Sequence, residues 1–309
     1  VHIDPYIVLG SAIIGLLVGM TGAGGGALMT PMLILLFGVT PLKAISSDLV
    51  AAVVMRPLGA MVHFRKGTVN LKLVGFMSIG SVPMAFVGSY LLHRLGDSSS
   101  AQTHVEQVLG VALLVGAAAM VLRFVLDQRG GNRRQGAVSD VVVHPLRTVL
   151  IGMIGGVVVG MTSVGSGSLM IVLLLFLYPV LGANQLVGTD LSQALPLTLA
   201  AALGALAFGH VEFAVTTSLI IGSVPAVLVG SVLSSRAPDR YIRPAITFVI
   251  FASGLKYVGV GTTALGWTLV GVLAAGFLAW ALLARPWDRD EEELSSNDEA
   301  PVPVRSAPG

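Results

Sequence analysis

The sequence predicts an all-α, polytopic membrane protein built from two inverted-topology repeats with Gly-broken helices. Composition gives the first reason: the 309 residues are 54% hydrophobic and only 11% charged, where soluble chains carry about 25% charged residues. Mean hydropathy is +0.87. The second reason is the recurrence of apolar runs of about 20 residues, each long enough to cross a hydrocarbon core of ~30 Å as a helix. Internal duplication is the third. Gly19 to Leu33 reads GMTGAGGGALMTPML and Gly160 to Leu174 reads GMTSVGSGSLMIVLL; Ile79 to Ser89 reads IGSVPMAFVGS and Ile221 to Ser231 reads IGSVPAVLVGS. Ser47-Asp48-Leu49 matches Thr189-Asp190-Leu191, and Gly67-Thr68-Val69 matches Gly209-His210-Val211, all at an offset of 141 or 142. Repeats at a fixed period decide architecture before any single residue does.

The spans of the first copy are expected at 6–21, 26–38, 43–64, 69–93 and 105–126. Those of the second are expected at 147–162, 167–181, 185–208, 212–234 and 242–259, with an extra span at 264–284. The segment after Pro5 is apolar from Ile7 to Gly19 without a basic stretch before it, so it reads as the first helix of the mature fold and not as a cleavable signal. Domain organisation follows: 1–126 the first repeat, 127–145 a basic cytoplasmic linker, 146–260 the second, inverted repeat, 261–285 an extra C-terminal helix, and 286–309 an acidic, disordered tail. The second span of each copy has only about 13 apolar residues, short of the ~20 a full crossing needs, so half-helices and re-entrant hairpins both stay open.

Charge placement sets orientation. An odd number of crossings per copy inverts the second copy, and Lys and Arg gather on the cytoplasmic side. With the N-terminus outside and the tail cytoplasmic, 13 basic residues fall inside and only Lys43, Arg94 and Lys256 fall outside. The chain thus has the lipid bilayer as its solvent. The charge pattern also excludes an ordinary soluble enzyme. A net charge of +2 with its basic residues in loops leaves no nucleic-acid surface, and the absence of cysteine excludes disulfides, thiolate zinc sites and a Cys nucleophile.

The glycine clusters interrupt apolar runs at equivalent places: Gly22, Gly24, Gly25 and Gly26 in one copy, Gly165 and Gly167 in the other. Paired broken helices point to a transporter's binding site. A helix restarting after a break offers unpaired N–H groups and its positive dipole end to an anion. Thr21, Thr162, Ser166 and Ser168 would add hydroxyls. The competing use is close helix packing.

Arg56 stands inside a span, in VVMRPLG. A charge near the bilayer centre costs about 2.5–3.5 kcal/mol on insertion scales and normally faces a cavity or a partner. Anion contact, snorkelling and a structural pair with Asp48 or Asp190 compete for it. Those two aspartates are candidates for proton coupling, or else N-terminal caps of the third span in each copy. His63, seven residues after Arg56 and nearly on its helical face, is a third proton candidate or an interfacial histidine. His210 and Glu212 fall in a short external loop and read as solvated. No nucleophile stands beside a base, no two histidines in one span share a metal-binding spacing, and no Walker loop occurs. No enzyme activity, metal or cofactor is therefore expected.

Taken together, GMTGAGGGALMTPMLILLFGVTPLKAISSDL, HFRKGTV, GMTSVGSGSLM and VGTDLSQALP resemble the TauE/SafE family of sulfite exporters and related permeases, over residues 6–259. The resemblance implies a cytoplasmic-membrane permease of two inverted copies that moves a small sulfur-containing anion such as sulfite or a sulfonate, with protons as the coupling ion. Its features fall on the breaks at 22–26 and 165–167, the Asp-Leu pairs at 48 and 190, and the stretch His63 to Gly67. Two departures stand out: Ser163 and Ser166 replace Gly22 and Gly25, and Thr198 replaces Arg56. The expected function is alternating-access secondary transport. A membrane-embedded sensor whose acidic tail recruits a partner, and a passive anion channel, are the alternatives. A homodimer is compatible with the Gly- and Ala-rich faces, which serve packing within one chain equally well.

Overall fold

The structure is a computed structural model that describes residues 3–21, 25–65, 67–96, 99–129, 142–209, 211–233, 239–261, 263–272 and 274. Every regular element among them is a helix. The order is α1 (Pro5–Thr21), α2 (Gly26–Leu35), α3 (Pro41–Arg65), α4 (Leu71–Gly96), α5 (Ser99–Arg129), α6 (Pro145–Thr162), α7 (Leu169–Leu177), α8 (Ala183–Phe208), α9 (Phe213–Leu233) and α10 (Asp239–Tyr257). These lie in one compact unit, Val1–Gly259, and a second unit, Val260–Gly309, contains α11 (Thr263–Val272). The end of the span expected at 264–284, the tail 286–309 and most of the linker 127–145 lie outside the described residues.

Among the described residues, five helices are long and apolar enough to cross a membrane: 71–95, 102–122, 145–162, 185–208 and 213–233. The 25 residues of α3 reach about 37 Å by helical rise, but Asp48, Arg56 and a run of serines dilute its apolar character. Large apolar side chains on the outer faces, among them Leu9, Ile13, Ile79, Ile154 and Val232, stand exposed, as a lipid-facing surface requires. The short spans resolve into single helices of 10 residues in α2 and 9 in α7, about half the thickness of a hydrocarbon core. Both are shorter than expected at 26–38 and 167–181. Gly38 turns left-handed at φ 64 after α2, and Gly167 at φ 88 delays the start of α7.

The duplication seen in the sequence governs the packing. Helix α1 packs on α9 and α4 on α6, which is the same pairing with the copies exchanged. Glycines make both contacts. A Cβ on Gly80 would strike the carbonyl oxygen of Val149, and one on the matching Gly222 would strike that of Val8. Gly88 and Gly230 repeat the relation against Val157 and Leu16, as Gly160 and Gly19 do against Ala85 and Val227. Small residues let membrane helices approach to backbone contact, where dispersion forces replace the missing hydrophobic drive. Two cores mirror each other in the same way. One gathers Met29, Leu33 and Leu219, and the other gathers Met170, Leu174 and Met77.

Hydrogen bonds between the copies fix the direction of the central helices. The Glu212 N–H donates to Ser47 Oγ at 3.1 Å, and the Asn70 N–H donates to Thr189 Oγ1 at 3.1 Å. Residues 47 and 189 are equivalent, as are 70 and 212. The start of α3 thus meets the loop after α8, and the start of α8 meets the loop after α3, so these helices run antiparallel.

The packing makes a stability prediction. Gly80→Ala and Gly222→Ala each lower the stability of the detergent-purified protein by about 1–3 kcal/mol, the usual cost of overpacking. Gly75→Ala, where a Cβ meets open space, leaves it unchanged. Thermal unfolding followed by circular dichroism checks all three; equal effects at the three sites would refute the interlocked packing.

Candidate functional site

The second copy shows how a helix is broken here. Helix α6 stops at Thr162, after which Ser163 takes φ 58, Gly165 φ 124 and Gly167 φ 88. Ser163 is the one non-glycine residue with positive φ among the described residues, a conformation that L side chains rarely adopt. Thr162 holds the turn: its hydroxyl donates to the Val158 carbonyl at 2.6 Å and accepts from the Val164 N–H at 3.2 Å. Ser166 and Ser168 are buried beside it. In the first copy Gly25 and Gly26 open α2, while Gly22, Gly24 and the side chain of Thr21 lie outside the described residues. No side chain caps the start of either short helix; the Leu28 and Met170 N–H groups donate back to the Gly25 and Gly165 carbonyls, and the first N–H groups of a helix lack partners within it.

The two breaks touch. A Cβ on Gly26 would fall on the Ser163 carbonyl and within 2.7 Å of its hydroxyl. Around this junction stand the two aspartates, both fully buried. The Gly167 N–H donates to Asp190 Oδ2 at 2.6 Å. Thr30 Oγ1, one turn into α2, donates to Asp48 Oδ2 at 2.9 Å, and the Ser163 hydroxyl faces the same carboxylate. Neither aspartate caps the helix that carries it, because the first turns of α3 and α8 hold no acidic residue. Asp190 instead serves the broken segment before α7.

Arg56 is 9% exposed, and its Nη1 and Nη2 are buried with no hydrogen-bond partner among the described residues. It does not snorkel. Asp190 and Asp48 both act on it through space, yet neither takes up its terminal nitrogens. The side chain lines a cavity of about 230 Å³ with Val53, Pro57, Leu195, Pro196, Thr198 and Leu199. Thr198 is the equivalent of Arg56 in the other copy, and the two line one cavity. Equivalent residues meet only near the axis that relates the copies, so Arg56 sits close to that axis.

Of the residues singled out from sequence, the structure gathers Gly25, Gly26, Gly165, Ser166, Gly167, Thr162, Asp48 and Asp190 around the paired breaks, with Arg56 close by. The side chain of His63 lies outside the described residues. Glu212 forms a half-exposed ion pair with Lys43 at 3.2 Å. Two participants, Thr30 and Ser163, were not foreseen as site residues, and Gln193 adds a buried polar group nearby in the sequence. Gln193 is fully buried, donates to Ser81 Oγ at 2.5 Å and leaves Oε1 without a partner. Its place one turn after Asp190 in VGTDLSQALP is the signal that pointed to it, and Thr30 stands one turn after Gly26.

A bundle of apolar helices with two touching chain breaks, buried carboxylates and a buried guanidinium fits a membrane transporter. The chain belongs to the Sulfite exporter TauE/SafE family, whose model matches residues 7–257. It is 37% identical over 259 residues to "Probable membrane transporter protein YjnA" of Bacillus subtilis (strain 168), covering 82% of this chain and 98% of that protein. It is 24% identical over 257 residues to "Probable membrane transporter protein YdhB" of the same organism, covering 81% and 98%. No solved structure matches. The protein is a multi-pass membrane transporter.

The axial position of Arg56 makes a prediction. Thr198→Arg in the presence of Arg56 adds a second buried cation and destabilises the protein by at least the ~2.5 kcal/mol an unpaired intramembrane charge costs. The exchange Arg56→Thr with Thr198→Arg restores most of that loss. Melting temperatures of the three proteins decide it, and a double variant no more stable than Thr198→Arg alone would refute the shared position.

Proposed function

We propose that this protein is a secondary transporter that carries a small sulfur-containing anion across the cytoplasmic membrane by alternating access, coupled to protons. The observation that carries the reading is Arg56: a buried guanidinium whose Nη1 and Nη2 have no hydrogen-bond partner among the described residues, beside a pocket of about 230 Å³. An unpaired buried cation is expensive, and an oxyanion supplies what it lacks, because the planar guanidinium fork matches two oxygens at once. N–H groups at the starts of α2 and α7, with their positive dipole ends, are the further anion ligands. The choice of sulfur-containing anions over carboxylates rests on the family.

The arrangement across the bilayer belongs to the same proposal. The exchanged hydrogen bonds Glu212–Ser47 and Asn70–Thr189 support copies of opposite orientation. The basic residues of the loops support an outside N-terminus and a cytoplasmic tail. In this arrangement each short helix enters the membrane from its own side and the breaks meet between the leaflets. Rocking one set of packed helices against the other then exposes the junction to one side at a time.

Ligand-induced thermal stabilisation against sulfite, sulfate, thiosulfate, sulfoacetate, taurine and matched carboxylates tests the substrate class, since a ligand of the folded state raises apparent stability. A selective shift with a sulfur anion is expected. Arg56→Ala weakens that anion by about 30-fold or more, corresponding to the ~2 kcal/mol or more lost when one partner of a buried charge pair is removed, and membrane insertion stays intact. Equal shifts for carboxylates, or an Arg56→Ala protein that binds as well as the wild type, would overturn the reading. Uphill flux in proteoliposomes under a proton gradient separates transport from a passive channel.

A further inference from the structure

The pocket beside Arg56 is one-sided in its chemistry. Besides Arg56, its described lining is Val53 and Pro57 of α3 and Leu195, Pro196, Thr198 and Leu199 of α8, so five of the seven side chains are apolar. The two prolines carry no main-chain N–H. The Thr198 hydroxyl spends its hydrogen on the Ala194 carbonyl of its own helix, at 2.5 Å. Of the described side chains, only Arg56 therefore presents hydrogens to an occupant, and its Nη1 and Nη2 are buried with no hydrogen-bond partner among the described residues. The donors sit at one place, and nearly everything else an occupant touches is carbon.

An inorganic oxyanion does not suit such a space. Sulfite and sulfate have oxygens spread around the sulfur, and an oxygen turned toward Val53, Leu195 or Leu199 loses its water without gaining a hydrogen bond, which is costly. An anion with oxygens at one end and carbon at the other avoids that loss. Sites of this composition hold a ligand's orientation with their few polar groups and bury the rest of it against apolar walls. The volume agrees: about 230 Å³ is roughly seven times the ~30 Å³ share of one water molecule, room beyond the four non-hydrogen atoms of sulfite. Charge agrees too. Asp48 and Asp190 act on the same guanidinium through space, and a second negative charge on the anion meets no further cation in the described lining.

Resting on the reading of Arg56 as the anion's ligand, we infer that the preferred anion is amphipathic, a singly charged sulfonate head with a short apolar substituent, and that Val53, Leu195 and Leu199 select it by that substituent. The head meets the guanidinium fork, and the substituent lies between α3 and α8. Val53 and Leu195 are half-buried, whereas Leu199 is 50% exposed and Leu203, one turn further along α8, is 52% exposed. The pocket thus opens on an apolar rim. Affinity rises with the length of the substituent while the lining still covers it, and levels off once the chain passes the rim.

Isothermal titration calorimetry of the detergent-purified full chain, with sodium sulfite, sodium sulfate and the alkanesulfonates from methane- to butanesulfonate, reads this selection. Each added methylene is expected to tighten binding by up to about fourfold, the ratio equivalent to ~0.8 kcal/mol per buried CH₂. Butanesulfonate is expected to bind at least about tenfold more tightly than methanesulfonate or sulfite. A smaller rise along the series, or sulfite binding as tightly as butanesulfonate, overturns the inference and leaves a sulfur-anion transporter standing. No binding of sulfite or of any sulfonate overturns both. Leu195→Ala separates the pocket from partition of the longer chains into the micelle, since it is expected to cut the butanesulfonate-to-methanesulfonate ratio by about threefold or more. An unchanged ratio overturns the role of the lining. If Leu195→Ala does not fold, Val53→Ala takes its place with the same expectation. Alkanecarboxylates of matching length that bind as tightly as the sulfonates overturn the sulfur preference alone, and their rise with length supports the apolar selection.

Discussion

A helix broken inside a hydrocarbon slab has no water to satisfy its freed main-chain groups, and each such group left alone costs several kcal/mol. The organisation of this protein depends on how that constraint is met. Each copy is broken once, and the breaks are brought into contact at Gly26 and Ser163. Buried side chains then serve what the chain cannot: Asp190 takes the Gly167 N–H, and the Thr162 hydroxyl takes the Val164 N–H. Irregular chain at this depth is tolerated only where protein surrounds it or where it lines a cavity. Protein surrounds the junction, where Ser163, Ser166, Asp48 and Asp190 are buried, and the polar residues of an otherwise apolar bundle collect there.

In the proposed arrangement of inverted copies, the two-fold relation between them explains where symmetry must fail. Residues far from the axis occur in matched pairs, and the glycine contacts of α1 with α9 and of α4 with α6 repeat almost atom for atom. A residue near the axis faces its own counterpart. Two arginines there would put like charges against one another in a low dielectric, so one copy supplies Arg56 and the other Thr198, whose hydroxyl is absorbed by the Ala194 carbonyl at 2.5 Å. Ser163 in place of Gly22 breaks the symmetry again, because it brings a hydroxyl to face Asp48.

Much of this was legible in the sequence because repetition carries it. The offset of 141 or 142 pairs the two glycine clusters and the two aspartates, and the apolar runs give the ends of most helices. Helix ends differ where a helix runs beyond its apolar stretch: α5 begins at Ser99 and not near 105, because its first turns are polar. The partners of the aspartates were not legible. Thr30 and Asp48 lie on different helices, as do Ser163 and Asp48, and local periodicity carries no information on which turn of α2 faces which turn of α3. The same limit hid the direction in which Asp190 points. Its position near the start of α8 suggested a cap for that helix, whereas its carboxylate reaches across to the segment before α7.

The glycine contacts and the site belong to one mechanical arrangement. Pairs locked by main-chain contact at their glycines, α1 with α9 and α4 with α6, are close-packed and transmit a displacement as a unit. The crossing of α3 and α8 is different. It is bridged near its ends by single hydrogen bonds from Ser47 and Thr189, and it holds a cavity beside Arg56 near its middle. A hydrogen bond of this kind contributes only about 1 kcal/mol net, so the bridge at one end opens at small cost while its equivalent at the other end holds. That is the requirement for exposing a central site to one side at a time. The proposed cycle therefore places its moving parts where the copies are joined by few polar contacts and its rigid parts where glycines interlock.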